Sequence, residues 1–258
     1  MANFKNVAIK AVKKAGLVLL ALSKKEIYYE MKKKRDILAA GDLKSEQIIV
    51  QEIKKYFPQH DVLSEEEATE INHSEYLWVI DPIDGTINFS RNLEEYCISL
   101  ALEVKGSLVL GVIYQPQTDK LYVAEKGCGA FLNNKKIKVS AESDMINMLL
   151  ATDNSSSPVM RKINYQILAK VCNEVRHIRI FGSGALHLAK LAEGKIDIYY
   201  KYKKSKTNYW DYAAGALLVQ EAGGKVSDFL GRPFGERSDN IVASNGKIHQ
   251  KILNILNK

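Results

Sequence analysis

Between residues 98 and 139 the chain turns back on itself too often for anything but an antiparallel sheet. Apolar segments at 98–104 and 108–114 are separated only by a break near Gly106. A segment at 121–124 follows a turn at 116–119, and segments at 130–132 and 137–139 flank Asn133-Asn134, a hairpin pair. Parallel strands need crossovers of a dozen or more residues, and there is no room for them here. After residue 147 the texture changes. Strand-like segments at 148–152, 176–181 and 196–200 alternate with helical segments at 158–173, 183–193 and 211–222, the last closed by Gly223-Gly224. Val226, residues 241–244 and a final helix complete the chain. The pattern predicts an α+β fold: an N-terminal half (1–147) with an antiparallel sheet and a C-terminal α/β half (148–258), packed as layers.

The N-terminal segment 3–34 reads as two helices or one broken helix. Phe4, Val7, Ala8, Ala11 and Val12 recur at helical spacing with lysines between them. That marks a docked amphipathic helix rather than a secretory leader, although Lys13-Lys14 precede an apolar run. The basic run KKEIYYEMKKKR at 24–35 mixes its cations with Glu and Tyr and reads as a solvated helix face. A helix follows Asp42 with Ile49, Ile53 and Phe57 on one face and Pro58 as its stop, and a short strand covers 61–63. No apolar run reaches the ~18–20 residues of a membrane span. The net charge of +7 comes without a basic tail or a nucleic-acid motif, so no nucleic-acid partner is expected. The three cysteines, Cys97, Cys128 and Cys172, are odd in number and form no CxxC pair. They fit reduced thiols in a cytoplasmic protein, not a disulfide framework or a zinc site.

The chemistry concentrates at LWVIDPIDGTINF, residues 77–89, where an apolar strand ends at Pro82 and delivers Asp81 and Asp84. By itself this fits a polar turn as well as a metal site. A phosphatase using an Asp-x-Asp nucleophile is excluded, because the position two before Asp84 is Pro82. Two aspartates aimed into one cavity repel and raise each other's pKa, and a divalent cation removes that conflict. Hard carboxylate oxygens suit Mg²⁺, whose coordination is completed by water and substrate phosphate. Gly85 permits close backbone approach, and a helix opening at Thr86 offers amides to an anion. Two further segments add carboxylates: Ser64-Glu65-Glu66-Glu67 after a strand, and Asp211 in YWDYAAG, where an ordinary helix cap is the alternative. Trp78 and Trp210 flank the acidic motifs as braces from the core. His177 and His187 read as packing or surface groups, since Mg²⁺ sites rarely need imidazole.

Together LSEEE, WVIDPIDGTINF, GSGA (182–185) and WDYAAGALLVQEAGG resemble the inositol monophosphatase family, from about Asp36 to the C-terminus. The wider group includes fructose-1,6-bisphosphatases and phosphoadenosine phosphate phosphatases. The resemblance implies a layered α-β-α-β-α sandwich, a lithium-sensitive homodimer, and two or three Mg²⁺ ions. It implies that Glu65, Asp81 and the Ile83 carbonyl hold a first ion, that Asp81, Asp84 and Asp211 hold a second, and that Glu65 reaches a third. Thr86, linked to Asp42, then positions the attacking water, with Glu65 in the same catalytic set. The amides of Gly85 and Thr86 hold phosphate, and Gly182, Ser183, Gly184, Asp84 and Asp211 line the substrate. The implied reaction is hydrolysis of a small polyol or sugar phosphate. Inositol 1-phosphate is the first choice, fructose 1,6-bisphosphate the second and adenosine 3′,5′-bisphosphate the third. Some family members look to have roles with RNA or RNA polymerase, which gives a non-enzymatic alternative.

One position departs from the pattern. A Glu that contacts ring hydroxyls follows the Tyr-Tyr pair in inositol monophosphatases; here IDIYYKYKK puts Lys201 there. A cation in place of that acid favours a more anionic substrate, and Lys203, Lys204 and Lys206 follow closely.

Overall fold

The computed structural model describes residues 3–23, 29–33, 36–66, 71–202 and 208–257, with 29–33 and 36–40 as backbone alone. Helix α1 (Phe4–Ser23) is followed by a hairpin of β1 (Tyr29–Lys33) and β2 (Asp36–Ala39), then α2 (Ala40–Tyr56). A seven-stranded sheet runs in chain order through β3 (Asp61–Ser64), β4 (Tyr76–Asp84), β5 (Cys97–Val104), β6 (Ser107–Gln115), β7 (Lys120–Glu125), β8 (Gly129–Leu132) and β9 (Lys135–Lys136), with the short helix α3 (Thr86–Ser90) after β4. Only the β3–β4 pair in it is parallel. The rest comprises β10 (Leu149–Thr152), α4 (Pro158–Val171), β11 (His177–Arg179), α5 (Gly184–Ala192), β12 (Ile198–Tyr202), α6 (Ala213–Glu221), β13 (Lys225–Ser227), β14 (Asn240–Ser244) and α7 (His249–Leu256). Its five-stranded sheet has the order β11-β10-β12-β14-β13.

Alternation along the strands stacks these elements. Ile98, Leu100 and Leu102 of β5 face Ala11, Val12, Leu19, Ile49 and Ile53 of α1 and α2. Cys97 and Ala101, on the opposite face, meet α5 and α6. Those two helices pack on their other side against Ala151, Tyr199, Ile241 and Ala243 of the second sheet. Leu150, Ile198, Tyr200 and Val242, on that sheet's outer face, meet α4 and α7. The result is the five-layer α-β-α-β-α stack. Helix α1 buries Val7, Ala8, Ala11, Val12, Ala15 and Leu19, as the amphipathic spacing predicts.

Three expectations are corrected. The stretch 24–35 is not a helix face where it is described: Tyr29–Lys33 is a strand, because pairing of Met31 with Ile37 and Tyr29 with Ala39 satisfies its backbone. Residues 24–28 and 34–35 lie outside the described residues. The strand expected at 137–139 is replaced by Lys135–Lys136, since the tight turn at Asn133 and Asn134, both with positive φ, brings the return strand in at once. Strand β4 does not end at Pro82 but continues to Asp84 through an irregularity, where a residue without N–H is tolerated.

Helix α6 sits directly on β6. A Cβ at Gly111 would lie 2.6 Å from the Ala214 carbonyl oxygen, so only glycine lets the helix reach the sheet. Gly111→Ala is expected to cost about 3 kcal/mol in denaturant unfolding. It should also weaken activity, because α6 follows Asp211 immediately.

Candidate active site

The irregularity in β4 creates the site. Two residues three apart on a regular strand point to opposite faces. Val79 faces the middle layer, so Asp81 does too, and Asp84 should face α1 and α2. The register shift between Asp81 and Asp84 sends Ile83 into the α1–α2 core instead and turns Asp84 toward α5. Both carboxylates are thereby buried on one side, 2% and 7% exposed. The amide of Ile83 donates to Asp81 Oδ1 (3.0 Å), and the Ser45 hydroxyl donates to the Pro82 carbonyl (3.0 Å), which locks the distorted backbone. Gly85 follows with φ 97°, and a Cβ there would meet the Glu95 carbonyl at 2.7 Å. Its close approach is to its own chain. The Thr86 hydroxyl donates to the Ile83 carbonyl at 3.0 Å.

The other acids arrive from separate elements. Asp42 is buried in the first turn of α2. Glu65 is half-buried just past β3. Asp211 is half-buried two residues before α6 and accepts from Asn208 Nδ2 (3.3 Å). The helix starts at Ala213 with Tyr212 at its cap position, so Asp211 is not consumed as a cap. The Ser99 hydroxyl, on the residue paired with Asp81 across the sheet, donates to the Trp210 carbonyl (3.1 Å) and draws Asp211 toward Asp81. Burial pushes the Asp81 carboxyl well above the usual range, and the charges of Glu65, Asp84, Asp211 and Asp42 push it further. Burial also lifts Asp84 to about 6, against hydrogen bonds from Ser183 and Ala185.

Asp84 is held at the start of α5. Ser183 Oγ (2.6 Å) and the Ala185 amide (2.6 Å) donate to its Oδ2, and the Gly184 amide (3.2 Å) donates to Oδ1. The helix N-terminus favours that negative charge. Gly182, just before this turn, lies against Asn88, whose amide donates to the Phe181 and Glu95 carbonyls. Lys201 is buried at the end of β12, while Lys203, Lys204 and Lys206 lie outside the described residues, as does Glu67. His187 is fully buried between the rings of Phe181 and Tyr199, whereas His177 is exposed. Trp78 is fully buried in the α1–α2 core, and Trp210 is half-buried against the middle layer.

Sequence reasoning missed Glu46. Its Oε2 accepts from the Ser64 hydroxyl and from the Glu66 amide (3.2 Å), so it fixes the turn that carries Glu65. The signal was present: Asp42, Ser45 and Glu46 stand at i, i+3 and i+4 on the stripe that continues into buried Ile49 and Ile53. Polar groups on a buried stripe must have partners. Here Ser45 bonds the Pro82 carbonyl, and Glu46 bonds Ser64 and Glu66, in the segments that carry the acids.

Among the described residues no three His, Cys, Asp or Glu side chains are closed around a single point as in an assembled metal site. The donor set nevertheless fits Mg²⁺. It consists of hard carboxylate oxygens from four elements, and at Asp81 burial and the charges of Glu65, Asp84, Asp211 and Asp42 all oppose ionisation.

The comparisons identify the family. The inositol monophosphatase family profile matches residues 1–258. A relative from Thermotoga maritima, named fructose-1,6-bisphosphatase/inositol-1-monophosphatase, is 36% identical over 87% of this chain and 84% of its own length. The Nus factor SuhB of Escherichia coli K12 is 35% identical over 96% of this chain and 93% of its own. An IMPase structure from Thermotoga maritima superposes with a TM-score of 0.89 at 34% identity, covering 98% of this chain and 96% of that one. A buried acidic motif, a five-layer fold and a whole-chain match lead to one statement: the protein belongs to the inositol monophosphatase family, a metal-dependent family of phosphatases.

Proposed function

We propose that the protein is a Mg²⁺-dependent phosphomonoesterase of small polyol and sugar phosphates, with inositol 1-phosphate as first substrate. The observation that carries this is the buried charge at Asp81, which Glu65, Asp84, Asp211 and Asp42 all oppose. Glu65, Asp81 and the Ile83 carbonyl would hold one ion, and Asp81, Asp84 and Asp211 another, with Glu65 available to a third. Bound there, Mg²⁺ acidifies water and neutralises charge on the leaving oxygen. The chain's own residues do the positioning. Ser183 and the Gly184 and Ala185 amides orient Asp84. Thr86, next to Gly85, orients the nucleophilic water with Asp42 and Glu65. The Gly85 and Thr86 amides face the phosphate, while Gly182, Ser183 and Gly184 border the alcohol. Burial excludes other water, so catalysis is positioning and charge stabilisation without a covalent intermediate.

A second substrate, fructose 1,6-bisphosphate, is favoured by the buried ammonium of Lys201, and adenosine 3′,5′-bisphosphate stands third. The test is phosphate release from the three esters with Mg²⁺, each with and without Li⁺. Mg²⁺-dependent, lithium-inhibited hydrolysis is expected. No hydrolysis by folded, metal-loaded protein would transfer support to an RNA or RNA-polymerase partner, which the net charge of +7 and the relatives named Nus factor SuhB favour.

A homodimer is part of the same reading. Ile87, Leu93 and Ile180 are 55%, 50% and 46% exposed, and the Asn88 bonds to the Phe181 carbonyl and from the Leu93 amide gather them. Such an apolar patch suits a second copy of the chain. Light scattering should give twice the chain mass, and Leu93→Glu should halve it; a monomeric wild type would discard this surface.

A further inference from the structure

A second buried charged cluster lies beside the carboxylates. On β12, Tyr199 faces α5 and α6 while Ile198 and Tyr200 face the outer layer. Lys201 shares the face of Tyr199 by strand alternation. Among the described residues it is the one buried lysine or arginine, 7% exposed. Its ammonium donates to the carbonyls of Asp153 (3.0 Å) and Asn154, just past β10. The Asp153 carboxylate accepts from the Tyr199 hydroxyl (2.7 Å), and its Oδ1 lies 3.2 Å from His187 Nδ1. His187 Nε2 accepts the Phe181 amide (3.0 Å), which leaves the ring proton on Nδ1, facing Asp153.

Topology explains why a ligand would reach this cluster. Strands β10 and β12 are parallel neighbours. The chain leaves β10 for α4 on the outer face and leaves β12 for α6 in the middle layer. Where successive connections diverge to opposite faces, a crevice opens at the carboxyl ends of the strands. Lys201, Asp153 and Asn154 stand at those ends. Burial disfavours the charge of this ammonium, and the carboxylates of Asp153, Asp211 and Asp84 favour it.

We propose that the crevice between the carboxyl ends of β10 and β12 is a subsite for a second phosphate of the substrate. Lys201 is its specificity-determining cation, and Asp153, fixed by Tyr199 and His187, is its positioning residue. The inference rests on the phosphatase reading above and names the substrate class of that site as a sugar bisphosphate. Two of the three ammonium donors are held by carbonyls, which leaves one for a ligand. A buried ammonium is stable only with a counter-charge. When Asp84 and Asp211 are neutralised by metal, Asp153 is the counter-charge that remains.

The test compares fructose 1,6-bisphosphate with fructose 1-phosphate at saturating Mg²⁺, by KM and kcat and by calorimetric binding. Lys201→Met should raise the bisphosphate-to-monophosphate ratio of KM about tenfold. Lys201→Arg should restore most of the preference. Asp153→Asn should raise the ratio in the same direction, and adding Lys201→Met to it should do nothing more, because the two act as one unit. A purely structural role would move both KM values together and leave the ratio unchanged, which overturns the proposal. A ratio that falls in Asp153→Asn shows a carboxylate that only screens the ammonium, and overturns the positioning role. A changed Mg²⁺ requirement at constant ratio makes Lys201 a counter-ion of the acids and overturns the subsite. If the wild type hydrolyses neither ester, the phosphatase reading fails, and the ratio of binding constants still decides the subsite.

Discussion

Asp81→Asn is expected to lower phosphate release about a thousandfold or more while raising the melting temperature of the metal-free protein. The two effects have one cause. Asp81 is almost fully buried, and Glu65, Asp84, Asp211 and Asp42 all oppose its charge. In the unfolded chain at neutral pH its carboxylate is ionised and hydrated. On folding it either keeps an unbalanced charge or takes up a proton, and both cost free energy. The amide has the same shape and neither cost, so the metal-free fold gains. It also retains an oxygen for the Ile83 amide, so the distorted end of β4 survives. With Asp81 a metal ligand as proposed, the variant would lose an anionic oxygen for the metal, so turnover should collapse. Calorimetric melting with and without Mg²⁺, beside an assay of phosphate release, checks the pair. A variant with near-normal turnover would remove Asp81 from the metal site. One that melts lower would show that the buried carboxylate stabilises the fold.

The antiparallel sheet was legible because its signals are local: crowded turns and alternating apolar residues from Cys97 to Leu132. The acidic motifs were legible because polar groups at the ends of apolar strands need a reason to be there. What failed is what depends on distant partners. Nothing within residues 29–33 announces a strand; its pairing with Asp36–Ala39 decides that. Nor does the spacing of Asp81 and Asp84 state that both face the middle layer, since a regular strand separates them and only the register shift reunites them. The GSGA turn could be read as a substrate wall, but its engagement of Asp84 crosses 99 positions from Ser183 and has no local signature. His187 reads as packing from sequence and does pack, stacked between two rings. Its contact with Asp153 emerges only when β10 is laid beside α5. Long-range hydrogen bonds, rather than local preference, assemble the site.

Mg²⁺ should stabilise the protein far more at pH 7.5 than at pH 5. Burial raises Asp84 from 3.8 to about 6 and raises Asp81 as well. A carboxyl whose folded pKa exceeds its unfolded value binds its proton more tightly when folded. Its favourable contribution is complete below about pH 4 and is lost as the pH climbs through about 6. For Asp84 that loss is about 3 kcal/mol in the metal-free protein. Held by these acids as proposed, Mg²⁺ would bind the deprotonated carboxylates and cancel their repulsion, so its effect should grow across the same window. The increment in melting temperature on adding Mg²⁺ should be about 5–10 °C greater at pH 7.5 than at pH 5. His249 acts in the opposite sense. Buried between Ser227 and Ser244 and repelled by Lys225, its folded pKa falls from 6.5 to about 4. Its contribution is present above pH 6.5 and lost as the pH falls toward 4. That term occurs with and without metal and cancels in the increment, so the difference isolates the carboxylates. In Asp84→Asn the increment should vary much less with pH. An increment equal at both pH values in the wild type would mean that Mg²⁺ binds somewhere other than these buried acids.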